Sequence, residues 1–203
     1  MRAFKYKIYP TKKQDEVLNF TLNHCRWLYN TALQQRIDAY KSTQHTVNYY
    51  EQANELPLLK NELPQFKSIH SQVLQDVLSR CDIAYKNFFR RIKQKSGKVG
   101  FPRFRSKDRY DSFSYLQSGF SFTNNKKRVE LSKIGLVKVK FSRQIPEDAK
   151  IKTCTIKKEG RHWYIIFTCQ FSNPAPPKKA ITSVIGIDLG LKDFSVLTNG
   201  EEI

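Results

Sequence analysis

The chain has 203 residues with 39% hydrophobic and 13% aromatic content, enough for a packed core and too much for a disordered tail. Thirty-six Lys and Arg against eighteen Asp and Glu leave a formal charge of +18, which implies a polyanionic partner, nucleic acid first. A membrane span would need about 20 consecutive apolar residues and a surface helix would need a basic amphipathic stretch of low overall order; neither occurs, so no membrane partner is expected.

From the start, Arg2-Ala3-Phe4-Lys5-Tyr6-Lys7-Ile8-Tyr9 alternates charged and apolar residues, a strand pattern without the apolar centre of a signal peptide. Secretion is not expected, and the cytoplasm is the expected compartment. Pro10 and the N-cap Thr11 then open a helix whose apolar residues Leu18, Leu22, Cys25, Tyr29, Ala32, Leu33, Ile37 and Tyr40 recur at spacings of three and four. A second helical stretch from Tyr49 to Glu62 holds Pro57 and is followed by Pro64, which predicts a short or bent helix. A third, with Ser68 as its candidate cap, repeats Ile69, Val73, Val77, Cys81, Ala84, Tyr85, Phe88 and Ile92.

From Asp111 the period changes to two, through Phe113/Tyr115, Phe120/Phe122, Val129/Leu131, Val137/Val139 and Trp163, Ile165, Phe167, Cys169, Phe171. Turns such as Asn124-Asn125-Lys126-Lys127 and Glu159-Gly160 separate these short strands. The expected fold is α+β: a compact β-barrel from residues 1–10 plus 111–172, with a helical bundle, residues 11–110, inserted after its first strand. A Pro/Lys-rich linker at 173–182 precedes a closing hairpin at 183–203. The four cysteines, Cys25, Cys81, Cys154 and Cys169, have no CxxC spacing and read as reduced core thiols, and His24, His45, His70 and His162 are too scattered to suggest a metal site.

Two segments carry the chemistry. Between Lys86 and Lys107 stand Lys86, Arg90, Arg91, Lys93, Lys95, Lys98, Arg103, Arg105 and Lys107 with no acidic residue, interleaved with Phe88, Phe89, Phe101 and Phe104. With no carboxylate in the stretch to neutralise the field, phosphate binding is the expectation; the aromatics either stack on bases or anchor the loop. At the other end, Val184-Ile185-Gly186-Ile187-Asp188-Leu189-Gly190 is an apolar run closed by a carboxylate between glycines. Both RNase H-like nucleases and actin-like ATPases open their core sheets this way, so Asp188 would face metal or phosphate.

Taken together, Tyr6-Lys7-Ile8-Tyr9-Pro10-Thr11, Cys25-Arg26-Trp27-Leu28-Tyr29-Asn30, Ala84-Tyr85-Lys86-Asn87-Phe88-Phe89-Arg90-Arg91, Gly100-Phe101-Pro102-Arg103-Phe104-Arg105, Leu131-Ser132-Lys133-Ile134-Gly135-Leu136-Val137-Lys138 and Gly186-Ile187-Asp188-Leu189-Gly190-Leu191-Lys192-Asp193-Phe194 resemble one family. It is the TnpB/OrfB proteins of insertion sequences, RNA-guided DNA endonucleases related to the type V CRISPR effectors. The resemblance implies an oligonucleotide-binding-like wedge barrel, an inserted helical recognition lobe and the first hairpin of an RNase H-like RuvC nuclease domain. It implies guide RNA from the transposon end and target DNA as partners, with base pairing supplying the sequence choice. Asp188 matches the first catalytic carboxylate, a ligand for divalent metal such as Mg2+, and Tyr49, Gln75 and Thr123 match polar positions that read the motif beside the target.

The later RuvC carboxylates and the zinc ribbon of that family have no counterpart in these 203 residues. The expectation is therefore a chain that binds guide RNA and DNA, holds no metal stably and does not cleave by itself. Alternatives are a guide-dependent DNA-binding repressor, a non-specific basic remnant, or the first phosphate loop of a sugar kinase or actin-like ATPase. Leu191, standing where those ATP-binding loops usually carry a hydroxyl residue, argues against the last.

Overall fold

The computed structural model describes residues 1–95, 97, 99–123, 127–171, 183–188, 190 and 194–198. The linker at 173–182, Lys98 and most of the Asn124–Lys127 turn lie outside them. Two compact units are present, Met1–Ser172 and Asn173–Ile203.

The first unit is a mixed helix-and-sheet body. Its strands are β1 (Arg2–Tyr9), β2 (Ser112–Tyr115), β3 (Phe120–Phe122), β4 (Arg128–Leu131), β5 (Gly135–Lys140), β6 (Ala149–Glu159) and β7 (His162–Phe171). They form one sheet in the order β2-β6-β7-β1-β5-β4-β3, with every pair antiparallel. Period-two alternation directs Phe4, Tyr6, Ile8, Val129, Leu131, Val137, Trp163, Ile165 and Phe167 inward, and all are buried. The sheet curls until it is nearly a closed barrel. Phe122 on the β3 edge meets Phe167 of β7 with ring centroids 5.0 Å apart, although three strands separate them. The hydroxyl of Tyr115, on the opposite edge strand, donates to the Ser132 carbonyl at 2.9 Å. Gly119 makes that approach possible: its φ is +89°, and a Cβ there would lie 2.7 Å from the Tyr115 ring.

Strand β6 is the longest of the sheet and was absent from the period-two pattern. Ile151 falls out of alternation with Cys154 and Ile156 because a bulge between Ile151 and Thr153 inserts one residue, and the other positions are lysines, threonines, Ala149 and Glu159.

Helices fill the segment between β1 and β2. Helix α1 (Lys12–Thr43) starts with a capping box in which Thr11 and Gln14 exchange side-chain and backbone hydrogen bonds, as Pro10-Thr11 predicted. Its first turns are tied to the sheet. The Trp163 indole donates to Asp15 at 2.6 Å, Lys158 donates to the Asn19 side chain at 2.6 Å, and the Gln14 amide donates to the Leu136 carbonyl at 2.8 Å. Helix α2 (Tyr49–Glu62) runs through Pro57 without a break, contrary to the interruption expected there. Asn48 accepts from the amides of Tyr50 and Glu51, and the uninterrupted helix has to forgo only the bond that Pro57 cannot donate. Helix α3 (Ser71–Lys93) is capped at His70 rather than at Ser68, which sits in the preceding 3-10 turn and donates to Gln65 O at 2.6 Å.

A buried polar network joins the three helices. Arg36 of α1 donates to Gln52 of α2 at 2.9 Å and pairs with Asp82 of α3 at 3.1 Å, with only 5% of the Arg36 side chain exposed. Arg80 of α3 donates to the Ser112 carbonyl and the Ser114 hydroxyl, covering the edge strand β2. All four cysteines are buried and free; burial pushes the Cys25 thiol up to about 12 and that of Cys81 to about 11. No helix among the described residues is long and apolar enough to cross a membrane.

The second unit carries β8 (Ile187–Asp188) paired antiparallel with β9 (Val196–Leu197). Gly186 is needed here: its amide donates to the Thr198 hydroxyl at 3.0 Å, and a Cβ would come within 2.7 Å of the Thr198 methyl.

Candidate nucleic-acid interface

The basic stretch begins on the last turns of α3. There the apolar stripe that buries Val73, Val77 and Cys81 emerges from the core, leaving Phe89 54% and Ile92 48% exposed. Arg90, Arg91 and Lys93 are exposed on this end, where cations also complement the partial negative charge of the helix C-terminus. Gln94 ends the helix, and Lys95 (φ 49°) followed by Gly97 (φ 54°) turns the chain back in left-handed conformations.

The returning loop is pinned at two points. Phe101 packs edge-on against Phe88 at 5.2 Å and Tyr85 at 5.5 Å, so this aromatic anchors the loop to α3 while remaining 45% exposed. Asn30 of α1 then clasps Arg105 from both sides: the Arg105 amide donates to Asn30 Oδ1 at 2.8 Å, and Asn30 Nδ2 donates to the Arg105 carbonyl at 3.0 Å. The Arg105 guanidinium sits 5.8 Å from the Tyr29 ring centroid, and its charge offsets part of the upward shift that burial imposes on the Tyr29 phenol. Arg103, Phe104 and Arg105 are left exposed on a backbone held by α1 and α3 together.

Beyond Arg105, a 3-10 turn at Lys107–Arg109 carries the chain toward β2. A cavity of about 330 Å³ opens there, lined by Tyr29, Arg80, Arg105, Arg109 and Tyr110 together with Ser112 and the carboxylate of Asp111, which pairs with Lys157 at 3.4 Å. Arg80 is committed to Asp76 at 2.7 Å and to β2, which leaves Arg105 and Arg109 as its exposed cations. Neither Asn30, which ends one of the segments that carry the family resemblance, nor Arg109 was expected as a site residue. Asp108 interrupts the basic stretch one residue before Arg109, and the polar face of a long helix gives no sign that Asn30 grips a loop 75 residues away.

The expectation that no carboxylate tempers this field needs one correction. Lys86 pairs with Asp82, one helical turn earlier, at 2.7 Å, and Asp82 also holds Arg36. Lys86 is thus partly neutralised, whereas no ion pair engages Arg90, Arg91, Lys93, Lys95, Arg103, Arg105 or Lys107 among the described residues.

The other residues singled out lie apart from this loop in the chain. Tyr49 is the first residue of α2 and packs on Tyr50, and Gln75 is exposed on α3. Thr123 follows β3 and donates to the Arg128 carbonyl at 3.0 Å, closing the β3–β4 turn. No hydrogen bond joins any two of the three. Asp188 is exposed on β8 opposite Val196. Among the described residues no group of three or more His, Cys, Asp and Glu side chains converges to hold a metal ion.

Comparison with known proteins places these features in context. Residues 1–45 match the family model of a helix-turn-helix domain of the OrfB/IS605 type. In this chain those residues form β1 and the single uninterrupted helix α1, so the matched segment contains no helical turn-and-return. The whole chain aligns with a proposed RNA-guided DNA endonuclease of Streptomyces pristinaespiralis at 32% identity, spanning 49% of that protein. It aligns over 98% of its length with InsQ of Escherichia coli K12, also a proposed RNA-guided DNA endonuclease, at 29% identity and 48% of that protein. The chain thus spans about half the length of the curated relatives it matches.

Proposed function

Because this chain belongs to the TnpB/OrfB family of insertion-sequence proteins, we propose that it is the nucleic-acid-binding, N-terminal portion of a transposon-encoded RNA-guided DNA endonuclease. The observation that carries the reading is the Asn30 clasp on Arg105. A loop of exposed arginines is held to α1 by the Asn30 bonds and to α3 by Phe101, and such pre-organisation lowers the ordering cost of binding a strand.

In this reading, Arg90, Arg91, Lys93, Lys95, Lys98, Arg103, Arg105 and Lys107, with Lys86 in a lesser part, hold the backbone of guide RNA or of the RNA–DNA heteroduplex. Charge positions the strand and base pairing selects the target. The curled sheet acts as the oligonucleotide-binding-like wedge, and Tyr49, Gln75 and Thr123 contact the DNA beside the target. The β8–β9 pair is the opening of the RuvC domain, with Asp188 its first carboxylate. Metal-dependent cleavage requires further carboxylates to join Asp188, so binding is the activity proposed for these 203 residues.

The test is to express the chain in cells carrying its native flanking DNA, purify it through a high-salt wash and sequence the RNA that remains. A dominant transcript from the element's end is expected. A random mixture that washes off in salt overturns guide recognition and leaves only a basic surface.

A further inference from the structure

A second cavity, of about 700 Å³, opens between α1, α3 and the chain leading into α2. Its walls include Tyr40, Tyr85, Phe88, Phe89 and Phe101. Two of these are costly to leave in water: Tyr40 and Phe89 are each 54% exposed, on different helices but facing the same space. At its base lies Arg36, whose guanidinium sits 5.2 Å from the Tyr85 ring centroid and whose Nη2 has no hydrogen-bond partner among the described residues. Lys41 and Lys86 also line the cavity, while its one carboxylate, Asp82, is already shared between Arg36 and Lys86.

Apolar, flat-sided walls beside three cations that share a single carboxylate, with Lys41 making no ion pair among the described residues, match one kind of occupant: an aromatic ring attached to an anionic chain. Phe101 connects this cavity to the interface described above, because the loop that places its ring in the wall places Arg105 four residues further on. We propose that this cleft receives a single unstacked nucleobase from the strand held by the basic loop, its ring against Tyr40 and Phe89 and its flanking phosphates toward Lys41 and Lys86. The inference rests on the nucleic-acid-binding reading and adds to it a contact that depends on a base being present, although not on which base.

The test compares two short deoxyribose-phosphate strands of equal length and charge, one fully abasic and one carrying a single central adenine. The wild-type chain binds the adenine strand about tenfold more tightly. The double variant Tyr40→Ser/Phe89→Ser changes only exposed rings and removes no charge; it erases that difference while its affinity for the abasic strand and its salt dependence stay at wild-type values. Equal binding of both strands by the wild-type chain overturns the base pocket and leaves the walls to some other occupant, such as a protein segment. Failure of the abasic strand to bind with any salt dependence instead overturns the phosphate-binding reading on which the proposal stands.

Discussion

Replacing Asn30 with alanine separates the path of the basic loop from its charge. The substitution removes both hydrogen bonds to the Arg105 backbone, at 2.8 and 3.0 Å, and alters no ionisable group. Each such bond is worth about 0.5–1.5 kcal/mol net, so the clasp contributes about 1–3 kcal/mol to holding the loop in place. If the strand binds the loop in this conformation, that ordering cost must be met again on binding, and Kd rises about tenfold, with an upper bound near 150-fold. Fluorescence anisotropy with a labelled single strand across a salt series measures both quantities of interest. The Asn30→Ala line of log K against log salt is expected to lie below the wild-type line and parallel to it, because the phosphates neutralised are the same. Arg105→Ala, by contrast, should lower the line and reduce its slope by about 1. An Asn30→Ala chain that binds as tightly as wild type would refute the claim that the loop's path matters. One whose slope collapses would refute the separation of path from charge.

Replacing Arg90, Arg91, Arg103 and Arg105 together with alanine should reduce the same slope by about 3, whereas Asp188→Ala should leave affinity and slope unchanged; a large loss in the latter would place Asp188 in the binding surface. In urea unfolding, Asp82→Ala is expected to cost about 3–5 kcal/mol, because it strands the buried Arg36 charge, while Lys86→Ala, which ends an exposed pair, should cost at most about 0.5 kcal/mol; equal losses would show that the Arg36–Asp82 pair is not the structural one. Native-state labelling with a thiol reagent at mildly alkaline pH should be slow and follow unfolding. Burial raises the Cys25, Cys81 and Cys154 thiols, so thiolate is scarce below their folded-state values, and rapid modification of the folded chain would contradict their burial.

The elements that declared themselves in the sequence are those whose physics is local. Thr11 with Gln14, and the three-and-four spacing from Leu18 to Leu33, specify α1 because capping and a buried stripe are properties of adjacent turns. The alternation in β1, β4, β5 and β7 is equally local, since a strand buried on one face must repeat every second residue. The pattern failed where a neighbour changed the rule. The bulge opposite β7 hid β6, a tertiary setting let α2 continue through Pro57, and the chain leading into α3 moved its start from Ser68 to beyond His70.

The candidate interface divides along the same line. Composition alone shows that residues 86–107 are basic and aromatic, and therefore which kind of partner they suit, because charge and ring chemistry need no partner residue to be read. Which cations are available was decided at both levels: Asp82 reaches Lys86 and Asp76 reaches Arg80 one turn along α3, a local spacing, while tertiary packing directs Arg80 onto Ser112 and Ser114 of β2. The order imposed on the loop was also a product of the tertiary structure. Asn30 and Arg105 are 75 residues apart in sequence, and only the packing of α1 against α3 brings one amide side chain within reach of both backbone groups of a single arginine.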